Sequence, residues 1–305
     1  SCTANCDRTV NEPGLILVSH GNQGVLELAS GDRLDCKFRR SVGRPFCGDR
    51  VMVERADGHS AVVTDILPRD NQFVRANAKG RKQVIAANLD QVAVVVAPVP
   101  QPSRDLVERY LVAVHSLGIQ PLIVLNKTEL MAQGAYDEDG PLGRLAEYKE
   151  LGYTVIRASC KTEPGVCDLL PALQKRCSIL VGQSGVGKSS LVNALLPDLD
   201  LQTGALSRVT GKGTHTTTTT IMYSLPCSGR LIDSPGVWEY GLWKMSQPEL
   251  ERGFIEFGAH AAGCRFNDCS HSSEPGCGVR AAVQDGSVRD WRYRSYLRLL
   301  EQAGA

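Results

Sequence analysis

The stretch 182-GQSGVGKSS-190 fits the pattern G-x-x-x-x-G-K-[ST]. An apolar run, 178-SILV-181, stands before it, and 189-SSLVNALL-196 follows with helical spacing. Strand, glycine-rich turn and helix in this order make a phosphate-binding loop. The glycines let the backbone turn so that its N–H groups face phosphate oxygens, and the helix N-terminus adds positive potential. The expected cradle is Gly182, Gln183, Ser184, Gly185, Val186, Gly187, Lys188, Ser189 and Ser190. Lys188 would reach the β- and γ-phosphates and stabilise charge during hydrolysis, and the Ser189 hydroxyl would bind Mg²⁺.

Downstream, 231-LIDSPGV-237 ends an apolar strand with an aspartate and places a glycine three residues later. In phosphate-loop enzymes such an aspartate, here Asp233, holds Mg²⁺ through water, and the N–H of the glycine, here Gly236, senses the γ-phosphate. Between the two motifs lies 211-GKGTHTTTTT-220. It reads either as a low-complexity linker or as a switch loop whose threonine binds Mg²⁺ and the γ-phosphate and lets go after hydrolysis. Thr217 is the expected contact, with Thr216 and Thr218 beside it. Val237 cannot orient an attacking water, so His215 is the nearest candidate for that role; an exposed structural histidine is the other reading.

Upstream, 126-NKTE-129 follows the strand 121-PLIVL-125 and resembles the N-K-x-D guanine-recognition element of GTPases, with Glu129 where aspartate is usual. Asn126, Lys127, Thr128 and Glu129 are therefore expected at the base. The added methylene keeps the acceptor but shifts it, which leaves the tightness of guanine selection open. The stretch 158-ASCK-161, after 153-YTVIR-157, resembles the next GTPase element and adds Ser159, Cys160 and Lys161. Ordinary GTPases run phosphate loop, switch, D-x-x-G, N-K-x-D, then the serine element. Here the last two come first, so the domain is expected to be circularly permuted, an α/β unit over residues 75–241 with a mostly parallel sheet. The run 91-QVAVVVAP-98 suits a strand buried on both faces, and 103-SRDLVERYLVAVHSLG-118 predicts a helix with Ser103 as N-cap and Gly118 as stop.

Two flanking regions complete the chain. Over residues 1–74, short apolar stretches (15-LILV-18, 24-GVLEL-28, 49-DRVMVE-54, 61-AVVTDIL-67) alternate with Gly- and Asp-rich turns, as in a small β-barrel or sandwich. Residues 75–87, RANAKGRKQVIAA, read as a linker. Over residues 242–305 the pattern is helical around 264-CRFNDCSHSSEPGC-277. Cys264, Cys269, His271 and Cys277 have the spacing of a closed tetrahedral Zn²⁺ site, and four protein ligands make such an ion structural. Cys2 and Cys6 lack companions and read as ordinary.

Charge is balanced over the 305 residues, with 34 basic and 33 acidic groups, so no partner is named by net charge. Locally, seven Lys/Arg stand against three acids between Arg33 and Arg55. Near the end Arg289, Arg292, Arg294 and Arg298 interleave with Trp291, Tyr293 and Tyr296. Each stretch reads either as solvated surface or as a nucleic-acid face. No apolar run is long enough to span a bilayer and the start lacks the apolar core of a secretion signal, which predicts a soluble cytoplasmic protein. The sequence begins at Ser1, which leaves open a removed segment. Eleven scattered cysteines favour reduced thiols or metal ligation.

Together these residues resemble the circularly permuted, small-ribosomal-subunit-dependent GTPases of bacteria, the RsgA/YjeQ type. The resemblance rests on the barrel ahead of a permuted GTPase domain, the switch-like GKGTHTTT, 232-IDSPGVWEYGLW-243 and the C-x4-C-x-H-x5-C segment. It implies an OB-fold, a GTPase domain and a zinc-bearing helical domain, and a role in late maturation of the small subunit. It also implies GTP hydrolysis stimulated by that subunit, with His215 in the hydrolytic role. GTP, GDP, Mg²⁺ and the small subunit with its rRNA are the implied ligands and partners of a monomeric protein with no membrane contact. A shift at Gly236 would then reorient the third domain. Two rivals remain: an ATPase or kinase, kept open by Glu129, and an RNA-binding assembly module that holds nucleotide without turnover.

Overall fold

Apolar residues alternating with polar ones build the first unit of the computed structural model, which describes residues 11–57, 59–76, 82–133, 136–162, 165–196, 198–199, 220–233 and 245–304. Its strands are β1 (Asn11–His20), β2 (Gln23–Leu28), β3 (Arg33–Phe38), β4 (Arg50–Asp57) and β5 (Ser60–Ile66). In β3 every second residue, Leu34, Cys36 and Phe38, is buried, the pattern of a strand with one face on a core. Antiparallel pairs β1–β2, β2–β3, β4–β5 and β1–β4, with β3 and β5 parallel, close a five-stranded barrel. This order is that of an OB-fold. Ile16, Leu26, Leu34, Val51, Val53 and Val63 fill its interior.

Of residues 75–87, expected as a linker, those described, 75–76 and 82–87, instead lie in two antiparallel strands, β6 (Gln72–Ala76) and β7 (Lys82–Ala87). The Lys- and Arg-rich composition hides an apolar anchor, Ile85, which is buried with Phe73 of β6 in the central core. Ala87 N donates to Cys47 O and so fixes the hairpin to the first unit, while Asn88 N donates to Asn71 O across the hairpin's own base.

The central sheet holds β8 (Gln91–Val96), β9 (Gln120–Leu125), β10 (Thr154–Arg157), β11 (Cys177–Val181), β12 (Ile221–Ser224) and β13 (Arg230–Asp233). Their order is β10-β9-β8-β11-β13-β12, all parallel except β12. Taking β11, β12 and β13 first and β8, β9 and β10 second restores the element order of ordinary GTPases, so the permutation lies in connectivity and not in shape. All six residues of β8 are buried, as its unbroken apolar run predicts. Helices α1 (Leu106–Ser116), α2 (Leu145–Glu150), α3 (Leu169–Leu173) and α4 (Lys188–Leu195) connect the strands. Asp105, not Ser103, occupies the N-cap of α1; its carboxylate is engaged by Arg298, and Ser103 contributes only its carbonyl to Leu106 N. Gly118 stops the helix with φ +67°.

Barrel and sheet are joined through β1, which pairs with β12 at Val18–Ile221. A bulge between Ile16 and Val18 turns the strand so that Ile16 enters the barrel core while Leu17 and Val18 enter the core of the central domain.

The C-terminal unit comprises α5 (Gln247–Gly253), α6 (Gly258–Ala261), α7 (Gly278–Gln284) and α8 (Asp290–Gly304). A capping box starts α5, with Ser246 N donating to Glu249 Oε2 at 2.7 Å. The unit packs on α1: Val112 and Ala113 share a core with Leu250, Phe254, Phe257 and Tyr296, and a Cβ on Gly253 would fall 2.5 Å from Val112 Cα.

The reading of the Arg- and aromatic-rich end as a nucleic-acid face is corrected here. Arg292 is fully buried, stacked 4.3 Å from the Phe254 ring centroid, paired with Glu256 at 2.7 Å and 3.7 Å from Glu108. Arg298 holds Asp105, Trp291 Nε1 donates to Glu147 at 2.5 Å, and Tyr296 is buried. Most of these side chains are consumed in docking α8 on the central domain. No helix among the described residues is long and apolar enough to cross a membrane.

Candidate functional site

The loop from Gly182 to Gly187 leaves β11 and enters α4 with three glycines at positive φ: +148° at Gly182, +80° at Gly185 and +96° at Gly187. Two of them also admit close neighbours. A Cβ at Gly182 would lie 2.3 Å from Val95 O, and one at Gly187 would lie 2.4 Å from Asn126 Nδ2. Glycine is required here both by conformation and by approach. Lys188 Nζ donates to the carbonyls of Gly182 and Gln183 at 2.7 and 2.8 Å, which suspends the ammonium over the loop. Ser184, Gly185, Ser189 and Ser190 are exposed, while Val186 is buried as the loop's anchor.

The guanine-recognition residues meet this loop although they lie far upstream in the chain. Asn126, 2 % exposed, donates from Nδ2 to Val186 O at 2.9 Å. Its Oδ1 and the Oε1 of Gln183 are buried polar atoms without a hydrogen-bond partner. Lys127, at φ +58°, extends across the loop and donates to Gly185 O at 2.6 Å and Val99 O at 2.7 Å. Glu129 accepts from Ser159 Oγ at 2.7 Å. Ser159 is in turn buried and accepts from Lys161 N and Thr162 N at 3.1 and 3.0 Å. Thr128 N bonds Ala158 O, and Cys160 is exposed. Val99 and Thr162 escaped the sequence reading, because a backbone carbonyl and a turn threonine carry no motif.

Asp233 ends β13 beside the loop. Burial raises its carboxyl above the ordinary range, opposed by the charge of Lys188. A hydroxyl at Ser189 and a carboxylate at Asp233 are hard oxygen donors of the kind Mg²⁺ takes, alongside phosphate oxygens. Thr217, His215 and Gly236 lie outside the described residues.

In the C-terminal unit, Cys264, Cys269, His271 and Cys277 bring one ligand atom each to within 4.8 Å of one another and could hold a metal ion. Cys264 Sγ and Cys277 Sγ are 3.9 Å apart, and His271 Nδ1 lies 3.5 and 3.4 Å from them. Zinc–sulfur and zinc–nitrogen bonds of about 2.3 and 2.0 Å give tetrahedral edges of about 3.8 and 3.5 Å, so the donor set fits that ion. Backbone donors face the sulfurs, Gly278 N to Cys264 at 3.3 Å and Arg280 N to Cys277 at 3.4 Å. The other imidazole nitrogen, Nε2, is buried 3.5 Å from Glu251 Oε2, a carboxylate placed to orient the ring. Glu251 lies on α5, too far upstream for spacing to reveal it.

The family model described as RsgA GTPase matches residues 66–243. Among curated relatives, the small ribosomal subunit biogenesis GTPase RsgA 1 of Vibrio vulnificus is 39 % identical over 296 residues, 94 % of this chain and 83 % of its own. The small ribosomal subunit biogenesis GTPase RsgA of Hahella chejuensis is 41 % identical over 297 residues, 96 % of this chain and 85 % of its own. Among solved structures, YjeQ from Thermotoga maritima superposes with a TM-score of 0.78 at 31 % identity, covering 96 % of this chain and 99 % of that one. YloQ, described as a circularly permuted GTPase, gives 0.76 at 26 % identity, covering 98 % and 97 %.

Proposed function

This chain belongs to the RsgA GTPase family and is a GTP-hydrolysing enzyme; from that premise we infer that it binds the small ribosomal subunit and assists its late maturation, with turnover stimulated by the subunit. The observation that carries the nucleotide half is the meeting of three separate segments at one loop. Asn126 holds Val186, Lys127 holds Gly185, and Ser159 aims Glu129. A phosphate cradle and a guanine-type carboxylate are thereby fixed to one another by direct bonds.

Lys188 and the loop amides stabilise charge that develops on the γ-phosphate oxygens. Glu129 accepts from the base, and the Lys127 stem lies along its face. Ser189 and Asp233, the latter through water, are the described residues that would hold Mg²⁺, with Thr217 as a third contact and Gly236 as γ-phosphate sensor. When bound, Mg²⁺ supplies positive charge to the phosphate oxygens. His215 orients the attacking water once the subunit has ordered its segment, which makes isolated turnover slow. Cys264, Cys269, His271 and Cys277 hold one structural Zn²⁺.

The units follow the expected division at 1–74, 75–241 and 242–305, with the first boundary moved ahead of β6, since Phe73 packs in the central core. In the barrel, Arg33, Arg39, Arg50 and Arg55 are tied to Glu27, Glu54, Asp70 and Glu12. The rRNA contact therefore falls to the exposed Lys37, Arg40 and Arg44 around the β3–β4 connection. The protein acts in the cytoplasm, as a monomer, without membrane contact. Displacement of a fluorescent GDP tests the nucleotide half: GTP should compete about 10⁴-fold better than ATP, as expected where a buried polar site rejects the wrong base. Equal competition would favour an adenine-using enzyme.

A further inference from the structure

A row of paired residues crosses from the barrel into the nucleotide site. Val18 of β1 pairs with Ile221 of β12, and Ile221 pairs with Asp233 of β13. The barrel is thus one strand removed from the aspartate at the phosphate loop. The joint is not a tether, because Leu17, Val18 and Val25 of the barrel share one buried core with Met222, Tyr223, Leu231 and Ile232.

The other end of the β12–β13 hairpin is pinned as well. Arg230, which opens β13, donates to both carboxylate oxygens of Glu27 on β2 and to Ser224 Oγ at 2.5 Å. Arg33 on β3 donates to Glu27 at 3.2 Å and to Ser224 at 3.2 Å. The Glu27 side chain is 13 % exposed. Burial would raise its carboxyl, yet the two guanidinium groups outweigh that and hold it below the ordinary range. At the turn, Gly229 packs so closely that a Cβ would meet Leu173 O at 2.2 Å, and Arg230 N bonds Arg176 O at 2.8 Å. From Arg230 to Asp233 the strand spans only about 10 Å. The barrel thus grips the hairpin at both ends, and because the turn is also fixed to the central domain, the open end that carries Asp233 is where a displacement of the barrel would be felt.

We propose that the barrel is a positioning element for hydrolysis: contact with the subunit is delivered through the Glu27–Arg230 pair and the Val18–Ile221–Asp233 row to the Asp233 carboxylate. The proposal rests on the reading of this chain as a subunit-stimulated GTPase. Glu27 and Arg230 touch no nucleotide; they act through Asp233.

The experiment compares the parent chain, Glu27→Gln and the charge swap Glu27→Arg/Arg230→Glu. Each is measured for subunit affinity, GDP affinity, turnover with and without subunits, and amide exchange in residues 220–233. Expected for Glu27→Gln are unchanged affinities and unchanged basal turnover, but stimulated kcat lowered about tenfold, the scale of an ordinary coupling between sites. Subunits should slow exchange in residues 220–233 of the parent and not of Glu27→Gln, and the swap, which restores an acid between two arginines, should recover both effects. Stimulated kcat of Glu27→Gln within about twofold of the parent, or a loss that follows subunit affinity, overturns the coupling. A parent chain that subunits fail to stimulate overturns instead the reading beneath it, and the coupling with it.

Discussion

The Ser159 hydroxyl donates to the Glu129 carboxylate across 2.7 Å and fixes an acid that is one methylene longer than the aspartate usual at this position. Ser159 is held by the amides of Lys161 and Thr162, so the carboxylate hangs from a rigid turn. Removing the hydroxyl frees two rotatable bonds of Glu129 and weakens the grip on the base. Ser159→Ala should lower GTP affinity about tenfold, the value of a hydrogen bond to a charged group, while ATP affinity stays unchanged. Titration with both nucleotides checks this; a parallel loss of both would move Ser159 from base recognition to general stability.

Stability should also depend on the metal ligands. The loop from Cys264 to Cys277 has little core of its own, with Cys269, His271 and Cys277 supplying most of what is buried. Stripping the ion with a chelator, or Cys269→Ser, should lower the Tm of the C-terminal unit, and thiol modification of the parent chain should release about one Zn²⁺ per chain. GDP affinity should hold, because the phosphate loop lies in another unit. Metal analysis alongside calorimetry reads both quantities, and a fully stable metal-free protein would contradict the structural role.

Glu108 gives a pH signature. Burial pushes its carboxyl above the ordinary 4.5, against the opposing charge of Arg292 and the hydrogen bond donated by Tyr148. The native chain thus keeps a proton that the unfolded chain has released, and stability falls as pH rises from 4.5 through the raised value. The slope reaches at most about 1.4 kcal/mol per pH unit for one such group. Glu108→Gln should flatten this part of the Tm–pH curve. Every other group is common to both proteins, so the difference between the two curves isolates Glu108; parallel curves would refute its involvement.

The sequence announced its chemistry more clearly than its assembly. Gly182 to Ser190, NKTE and the Cys264–Cys277 segment were legible because phosphate, guanine and metal each demand fixed residue types at short spacing. Contacts between distant segments left no such trace. Arg292 looks like a surface cation until Glu108 and Glu256 are folded against it. Ile85 looks incidental within a basic stretch, yet with Phe73 it anchors a hairpin. The join of Val18 to Ile221 has no local signal, since a single bridge formed after a bulge has no period to read. The docking of α5 and α8 on α1 also bears on the expected reorientation of the third unit: any such motion must break the buried Glu108–Arg292–Glu256 cluster.

The central claim is tested most directly by hydrolysis of GTP and ATP by the purified chain, with and without small ribosomal subunits, alongside His215→Ala. The account predicts GTP-selective turnover that is slow alone, rises strongly with subunits, and in His215→Ala loses most of that rise while nucleotide affinity is kept. Equal use of ATP with no response to subunits would contradict it.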